Sequence, residues 1–220
     1  IRQINKAKTE RKKMITGSRK TQALLGVILG IAIAVVLCCV AFKLNLLDSN
    51  ILSTEFKPKG NTLEQLADSV VEEVITEDMD ELEKYKALHD WLINYAEYDW
   101  SNANTSSTSM HNGTVVLTSG IGVCDAYAYA YQALCKSANL YCKVIIGNTG
   151  DKYADHAWNI VRVNNQFYHV DCTWDDTDNK NLEKEQTYEY FMISDKTMTQ
   201  RNRKFEPQSC KSTIYENKFK

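Results

Sequence analysis

Three residue types in this chain could together attack a carbonyl carbon. Cys124 stands in GIGVCDAYAYAYQALC, where a glycine-hinged loop meets the start of an Ala- and Tyr-rich helical stretch. A thiol at a helix N-terminus faces unpaired backbone N–H groups and the positive end of the dipole, which lower its pKa and favour the nucleophilic thiolate. His156 and Asp171 lie in two apolar, β-branched segments, HAWNIVRV (156–163) and QFYHVDCT (166–173). A histidine held by an aspartate keeps one tautomer and is stabilised as an imidazolium, the partner a thiol nucleophile needs. Asp125 adjoins the thiol, and its charge opposes the thiolate unless it points away. Singly, each residue is more often structural than chemical; the order Cys, His, Asp makes the joint case.

The elements that must position these groups are legible in outline. Asn164-Asn165 separates the two apolar segments, and Asn tolerates the positive φ that a two-residue hairpin turn demands. Such a turn pairs Val163 with Gln166, Trp158 with Asp171 and His156 with Thr173. His156, Trp158, Ile160 and Arg162 then share a face with Phe167, His169, Asp171 and Thr173, and His156 and Asp171 become diagonal neighbours within side-chain reach. YCKVIIG (141–147) reads as a further strand. Upstream, Asn61 with Glu64 resembles a capping box, followed by helical spacing from Leu63 to Ile75. A second helix is expected from about Glu81 to Tyr98, with Leu82, Tyr85, Leu88, Leu92 and Tyr95 on one stripe and His89 beside it as a surface or core-edge residue. Ala126, Ala128 and Ala130 are small enough for the central helix to press on the sheet. Gly120 and Gly122 allow close backbone approach from the side where substrate would enter. Helices first and an antiparallel sheet later give an α+β class.

The remaining sequence concerns location. Ala23 to Phe42 is twenty residues without a charge, enough at ~1.5 Å per residue to cross a ~30 Å hydrocarbon core. Residues 1–22 carry eight Lys or Arg against one Glu, or +7; the net charge of −2 leaves −9 for the rest. Basic residues before the span predict a cytoplasmic N-terminus and an extracytoplasmic body. No A-x-A-like site follows the span, so an uncleaved single-pass signal anchor in the cell membrane is expected. The expected plan is a basic tail (1–22), a transmembrane helix (23–42), a stalk (43–60) and an outer domain (61–220). The chain starts at Ile1 rather than Met, and whether residues precede it is left open. An acidic body argues against nucleic-acid binding. Of seven cysteines, Cys38 and Cys39 fall in the span. Cys135, Cys142, Cys172 and Cys210 could form two disulfides on an oxidising exterior or remain reduced and buried. Sequons occur at Asn104 and Asn112. A metal site from Asp155, His156, His169 and Asp171 matches no familiar zinc spacing, and no cofactor is expected.

KALHDWLINYAEYD (86–99), LTSGIGVCDAYAYAYQALCKSANLYCKVIIG (117–147), DHAWNIVRVNNQFYHVDCTWDD (155–176) and YEYFMISDKTM (188–198) resemble the bacterial transglutaminase-core domains of the transglutaminase-like superfamily. The resemblance implies a papain-like α+β core whose central helix packs on an antiparallel sheet. It also implies a triad of Cys124 as nucleophile, His156 as base and acid, and Asp171 as orienting group. It further implies thioester chemistry on peptide or protein amides, as peptidase or amidase or, alternatively, as a cross-linking enzyme; the expected anchor would put the substrate at the cell surface, and a non-catalytic binding module of the same fold is a further alternative. Trp158 and Trp174 either wall a cleft or belong to the core, the core being the commoner place for such residues.

Overall fold

The computed structural model describes residues 56–102, 112–149, 155–176 and 188–219. All belong to one compact unit, Glu55–Lys220. The expected tail, transmembrane helix and most of the stalk lie outside the described residues, and no helix among the described residues is long and apolar enough to cross a membrane. The last stalk positions are part of the unit: Phe56 packs on the core and the Lys59 N–H donates to Ser69 Oγ at 2.8 Å.

Helix α1 is Leu63–Val74. Its cap is Thr62 rather than Asn61: the Thr62 hydroxyl accepts the Gln65 N–H, while Gln65 Oε1 accepts the Asn61 N–H at 2.9 Å. Helix α2, Glu81–Tyr95, starts with a full capping box between Asp80 and Glu83 and stops three residues short of expectation. The chain turns extended at Ala96, and β1 (Glu97–Tyr98) pairs in parallel with β2 (Ile121–Gly122). Between them α3, Gly113–Ser119, is capped by Asn112, whose side chain accepts the Thr114 N–H at 2.8 Å. One sequon asparagine is thus a helix cap; the other, Asn104, lies outside the described residues.

The central helix α4 is Cys124–Ser137. It buries Ala126, Tyr127, Ala130, Tyr131 and Leu134 against α1–α3 on one side and against Val161, Val163, Tyr168 and Val170 of the sheet on the other. Ala128 lets helix and strand approach until Asn159 Nδ2 donates to the Ala128 carbonyl at 3.0 Å. The sheet is an antiparallel meander, β3 (Cys142–Asn148), β4 (Asp155–Val163), β5 (Gln166–Val170) and β6 (Phe191–Ile193). Its other face carries Ile145, Trp158, Ile160 and Ile193 into a second, smaller core with Met198 and Cys210. Met198 belongs to helix α6, Asp195–Gln200.

The β4–β5 hairpin has the expected register: Val163 faces Gln166, Ile160 faces His169, and Asn164 and Asn165 take φ of 50° and 60°. The ladder is shorter than expected. It ends at the Asn159–Val170 pair, so Trp158–Asp171 and His156–Thr173 are not strand partners. Asp171 instead caps α5, the single turn Cys172–Asp175. The β5–β6 pairing contains a bulge where Met192 adopts φ 57°.

Candidate active site

Cys124 is the first residue of α4 and is half-buried. The preceding N-cap, Val123, has no side chain that can accept a hydrogen bond, so the first N–H groups of α4 have no side-chain cap. His156 is the second residue of β4, so thiol and imidazole meet where their two elements begin. The ring is 5 % exposed. Its Nε2 lies 2.7 Å from Asp171 Oδ2, and Cys124 is near enough to favour the charged form of the same ring. With Nε2 taken by Asp171, Nδ1 is the nitrogen left for the sulfur.

Asp171 is fully buried and divides its oxygens. Oδ2 holds His156, while Oδ1 accepts the Trp174 N–H at 3.3 Å and thereby caps α5. The carboxylate is therefore fixed by the backbone it terminates, not by a strand ladder. Burial disfavours charge on His156. The charge and hydrogen bond of Asp171, aided by Cys124, outweigh it and raise the imidazole to about 9. The ring is thus an imidazolium at neutral pH.

Two indoles flank it, with different surroundings. Trp158 is buried, with ring centroid 5.6 Å from that of His156 at an interplanar angle of 23°. Trp174 is 47 % exposed and stands edge-on to His156 at 6.3 Å. The core reading holds for Trp158 and fails for Trp174, because the one-turn helix α5 presents Trp174 outward beside the imidazole. The guanidinium of Arg203 lies 4.3 Å from the Trp174 ring centroid and 5.0 Å from that of Tyr190. Arg203 is itself 5 % exposed; it donates to the Arg201 carbonyl and to Tyr190 Oη.

Tyr98, from β1, is half-buried on the Cys124 side. Burial first, and then the nearby Cys124, Asp125 and Asp171, raise its phenol to about 12. It remains a neutral hydroxyl facing the site. Its ring lies 6.4 Å from that of Tyr127, whose hydroxyl donates to Asp176 at 2.6 Å. Nothing in the sequence marked Tyr98, because a two-residue strand has no period to read.

The two glycines before the thiol each have a local structural reason. Gly120 ends α3 in the left-handed region at φ 72°. A Cβ on Gly122 would collide with Val116 Cγ2 and come within 3.0 Å of Ala126 Cβ. The α3–α4 contact therefore excludes any side chain there.

His89 is not at the surface or the core edge. It is fully buried between two carboxylates, Nδ1 to Asp90 Oδ1 at 3.1 Å and Nε2 to Asp175 Oδ2 at 3.2 Å. Burial opposes its charge, but Asp175 and Asp90 prevail and raise it to about 9. Asp175 also accepts the Tyr190 N–H at 2.9 Å and belongs to the same helical turn that Asp171 caps. The buried imidazolium thus ties α2 to the turn that presents Asp171.

The proposed metal cluster is not assembled. His156 and Asp171 meet, but Asp155 is exposed and His169 points elsewhere, to Trp158 and Asp195. His169, Asp195 and Cys210 do place ligand atoms within 4.8 Å of one another. Trp158 Nε1–H donates to His169 Nδ1 at 2.9 Å, and an indole nitrogen only donates. His169 therefore carries its proton on Nε2, aimed at Asp195 Oδ1 at 2.8 Å, and that nitrogen has no lone pair for a cation. Cys124, Cys135, Cys142, Cys172 and Cys210 are all free thiols. Cys142 Sγ accepts from Asn159 Nδ2 at 3.3 Å and touches Cys135.

Comparison with known proteins fits this geometry. The profile of the transglutaminase-like superfamily matches residues 68–172, a span that contains Cys124, His156 and Asp171. The chain is 28 % identical over 117 residues to the kyphoscoliosis peptidase of Homo sapiens, a match covering 49 % of this chain and 18 % of that protein. It is 27 % identical over 123 residues to the Mus musculus counterpart, covering 51 % and 19 %. It spans less than a fifth of the length of those relatives. A solved structure of a TGase aligns at TM-score 0.43 and 18 % identity, over 65 % of this chain and 41 % of that one, too slight a likeness to build on. Residues 68–172, the stretch that holds Cys124, His156 and Asp171, thus carry the pattern of the transglutaminase-like superfamily.

Proposed function

We propose that this domain is a cysteine-dependent enzyme that opens peptide or protein amide bonds through a thioester on Cys124, with water as the usual acceptor. The observation that carries the reading is the single imidazole of His156, hydrogen-bonded to Asp171 at 2.7 Å and with Cys124 beside it. The Cys124 sulfur, as thiolate beside the His156 imidazolium, attacks the amide carbon and forms the C–S bond. The carbonyl oxygen gains the electron pair, and the uncapped N–H groups at the start of α4 are donors suited to it. His156 gives its proton to the amide nitrogen, the C–N bond breaks and the amine leaves. Neutral His156 then takes a proton from water as the hydroxyl oxygen attacks the thioester. The C–S bond breaks, the acid leaves, and thiolate and imidazolium are restored. Asp171 holds Nε2 throughout, so Nδ1 faces the reaction.

The same acyl-enzyme could pass to an amine and yield a cross-link. The peptidase relatives support hydrolysis. The membrane anchor, with the domain outside the cell and a protein or peptide substrate at its surface, rests on residues 1–42 alone.

Iodoacetamide at mildly acidic pH tests the nucleophile. Cys124 should be alkylated well ahead of an ordinary thiol, and Cys124→Ala should remove the labelling while the fold survives. A Cys124 that reacts no faster than free cysteine would end the proposal. Mass spectrometry of products from a peptide library, with and without a primary amine, then separates hydrolysis from transfer.

A further inference from the structure

Beneath the candidate triad lies a second chain of hydrogen bonds that the mechanism above does not use. Trp158 lies alongside His156, with centroids 5.6 Å apart. Its Nε1–H donates to His169 Nδ1 at 2.9 Å, and His169 Nε2–H donates to Asp195 Oδ1 at 2.8 Å. Asp195 is fixed in turn by the N–H groups of Gln208 at 3.3 Å and Cys210 at 3.2 Å. Phe205 closes the array edge-on, 5.7 Å from Trp158 and 4.8 Å from His169. On the far side a Cβ on Gly147 would collide with Cη2 of the Trp158 ring, so the indole fills the space above that glycine.

We propose that Asp195, His169 and Trp158 form a relay that positions the His156 ring and stabilises its charged form through the face of the Trp158 indole. The inference rests on the triad reading above. Indole is the aromatic ring with the strongest attraction for a cation within ~6 Å of its centroid. Trp158 is inside that range and Trp174, at 6.3 Å and perpendicular, is outside it. A neutral acceptor on the N–H, itself polarised by a carboxylate, pushes electron density toward the indole face. In a dry site such chains reinforce one another. Burial lowers the pKa of His169, which keeps it neutral and in the tautomer the relay requires. Trp158 and His169 are thus positioning residues, remote from the bond that breaks.

The test reads His156 through the pH profile of Cys124 alkylation in the whole chain. The lower limb marks formation of the ion pair; the upper limb marks loss of the imidazolium. The groups facing His156 are Asp171 and Trp174 from the α5 turn, Cys124 from α4 and Trp158 from its own strand. Asp125 and Tyr98 stand on the thiol side, and Arg203 lies behind Trp174. All are unchanged in the variants below except Trp158. Trp158→Phe and His169→Leu should each lower the upper limb by about half a pH unit, a roughly threefold loss of imidazolium at its midpoint. The double variant should shift no further, because both changes cut the same relay. His169→Asn, which keeps an acceptor near the Nδ1 position, should recover part of the shift.

An upper limb that stays in place, or shifts that add in the double variant, would overturn the relay and leave the triad standing. A wild-type profile with no ion-pair plateau would instead overturn the triad, and the relay with it. If His169→Leu does not fold, Asp195→Asn keeps the shape and the hydrogen bond and should give a smaller shift of the same sign; no shift there counts against the relay.

Discussion

Replacing His89 by glutamine should remove a pH-dependent clamp from the core. The imidazole is enclosed between Asp90 and Asp175 and raised from 6.5 to about 9 despite its burial. A rise of that size corresponds to about 3 kcal/mol of stability. The sign follows from the direction: a group whose pKa is higher folded than unfolded contributes fully below pH 6.5, and the contribution is lost as pH climbs through 9. Glutamine is close in size, can hydrogen-bond one carboxylate and carries no charge. Urea unfolding at pH 6 should therefore show His89→Gln less stable than wild type by about 3 kcal/mol, with the difference shrinking toward zero by pH 10. The titration of His156 is common to both proteins and cancels in the comparison. In a thermal scan the gap at pH 6 should be about 6–12 °C for a domain of this size. A difference between the two proteins that stays constant from pH 6 to pH 10 would refute the charged clamp. It would show that His89 contributes by packing against Phe191, whose ring lies 4.7 Å away.

Asp171→Asn should bring the His156 pKa down from about 9 toward its ordinary value and reduce turnover of a cleaved peptide by ~10³- to 10⁴-fold with little change in KM. A loss under tenfold would remove Asp171 from its orienting role. Asn165→Ala keeps φ at 60° but removes the short polar side chain that makes this conformation tolerable, and should cost about 1 kcal/mol in urea melts; no cost would mean that the turn relaxes to another type. Gly113→Ala puts a methyl group 2.7 Å from the Ala130 nitrogen and 2.9 Å from the Tyr129 carbonyl carbon, backbone atoms that do not yield. It should cost about 1–3 kcal/mol by the same assay, and a neutral result would show that α3 moves freely against α4.

The hairpin was readable because its information is local. Two asparagines set a turn length, the pleat sets faces, and the register from Val163–Gln166 to Asn159–Val170 follows. Cys124 was readable because glycines and then alanines mark where a loop becomes a helix. The pairing that matters most, His156 with Asp171, came out right for an incomplete reason. The expected diagonal assumed a ladder through Thr173, whereas Asp171 leaves the strand and is held by the helical turn it caps. A four-residue helix and a three-residue strand such as β6 have no period to detect, so α5 and β6 were invisible in advance. With them went the exposure of Trp174, which that turn presents outward, and the enclosure of His89, which depends on a carboxylate 86 positions away. Residue type did not reveal the relay either: His169 looked available for a metal until the donor-only nitrogen of Trp158 fixed its tautomer.

Cys124 precedes His156 and Asp171 along the chain and sits on a helix that buries its own side chains against elements made earlier. On a ribosome the sulfur emerges while its two partners are still unsynthesised. The nascent protein therefore carries a cysteine without its imidazole and carboxylate until the β4–β5 hairpin and the turn after it are made. On the proposed mechanism, the hairpin acts as a safety catch: the capacity to cut amides arrives only once the chain is folded, so half-made molecules are not a hazard to their neighbours.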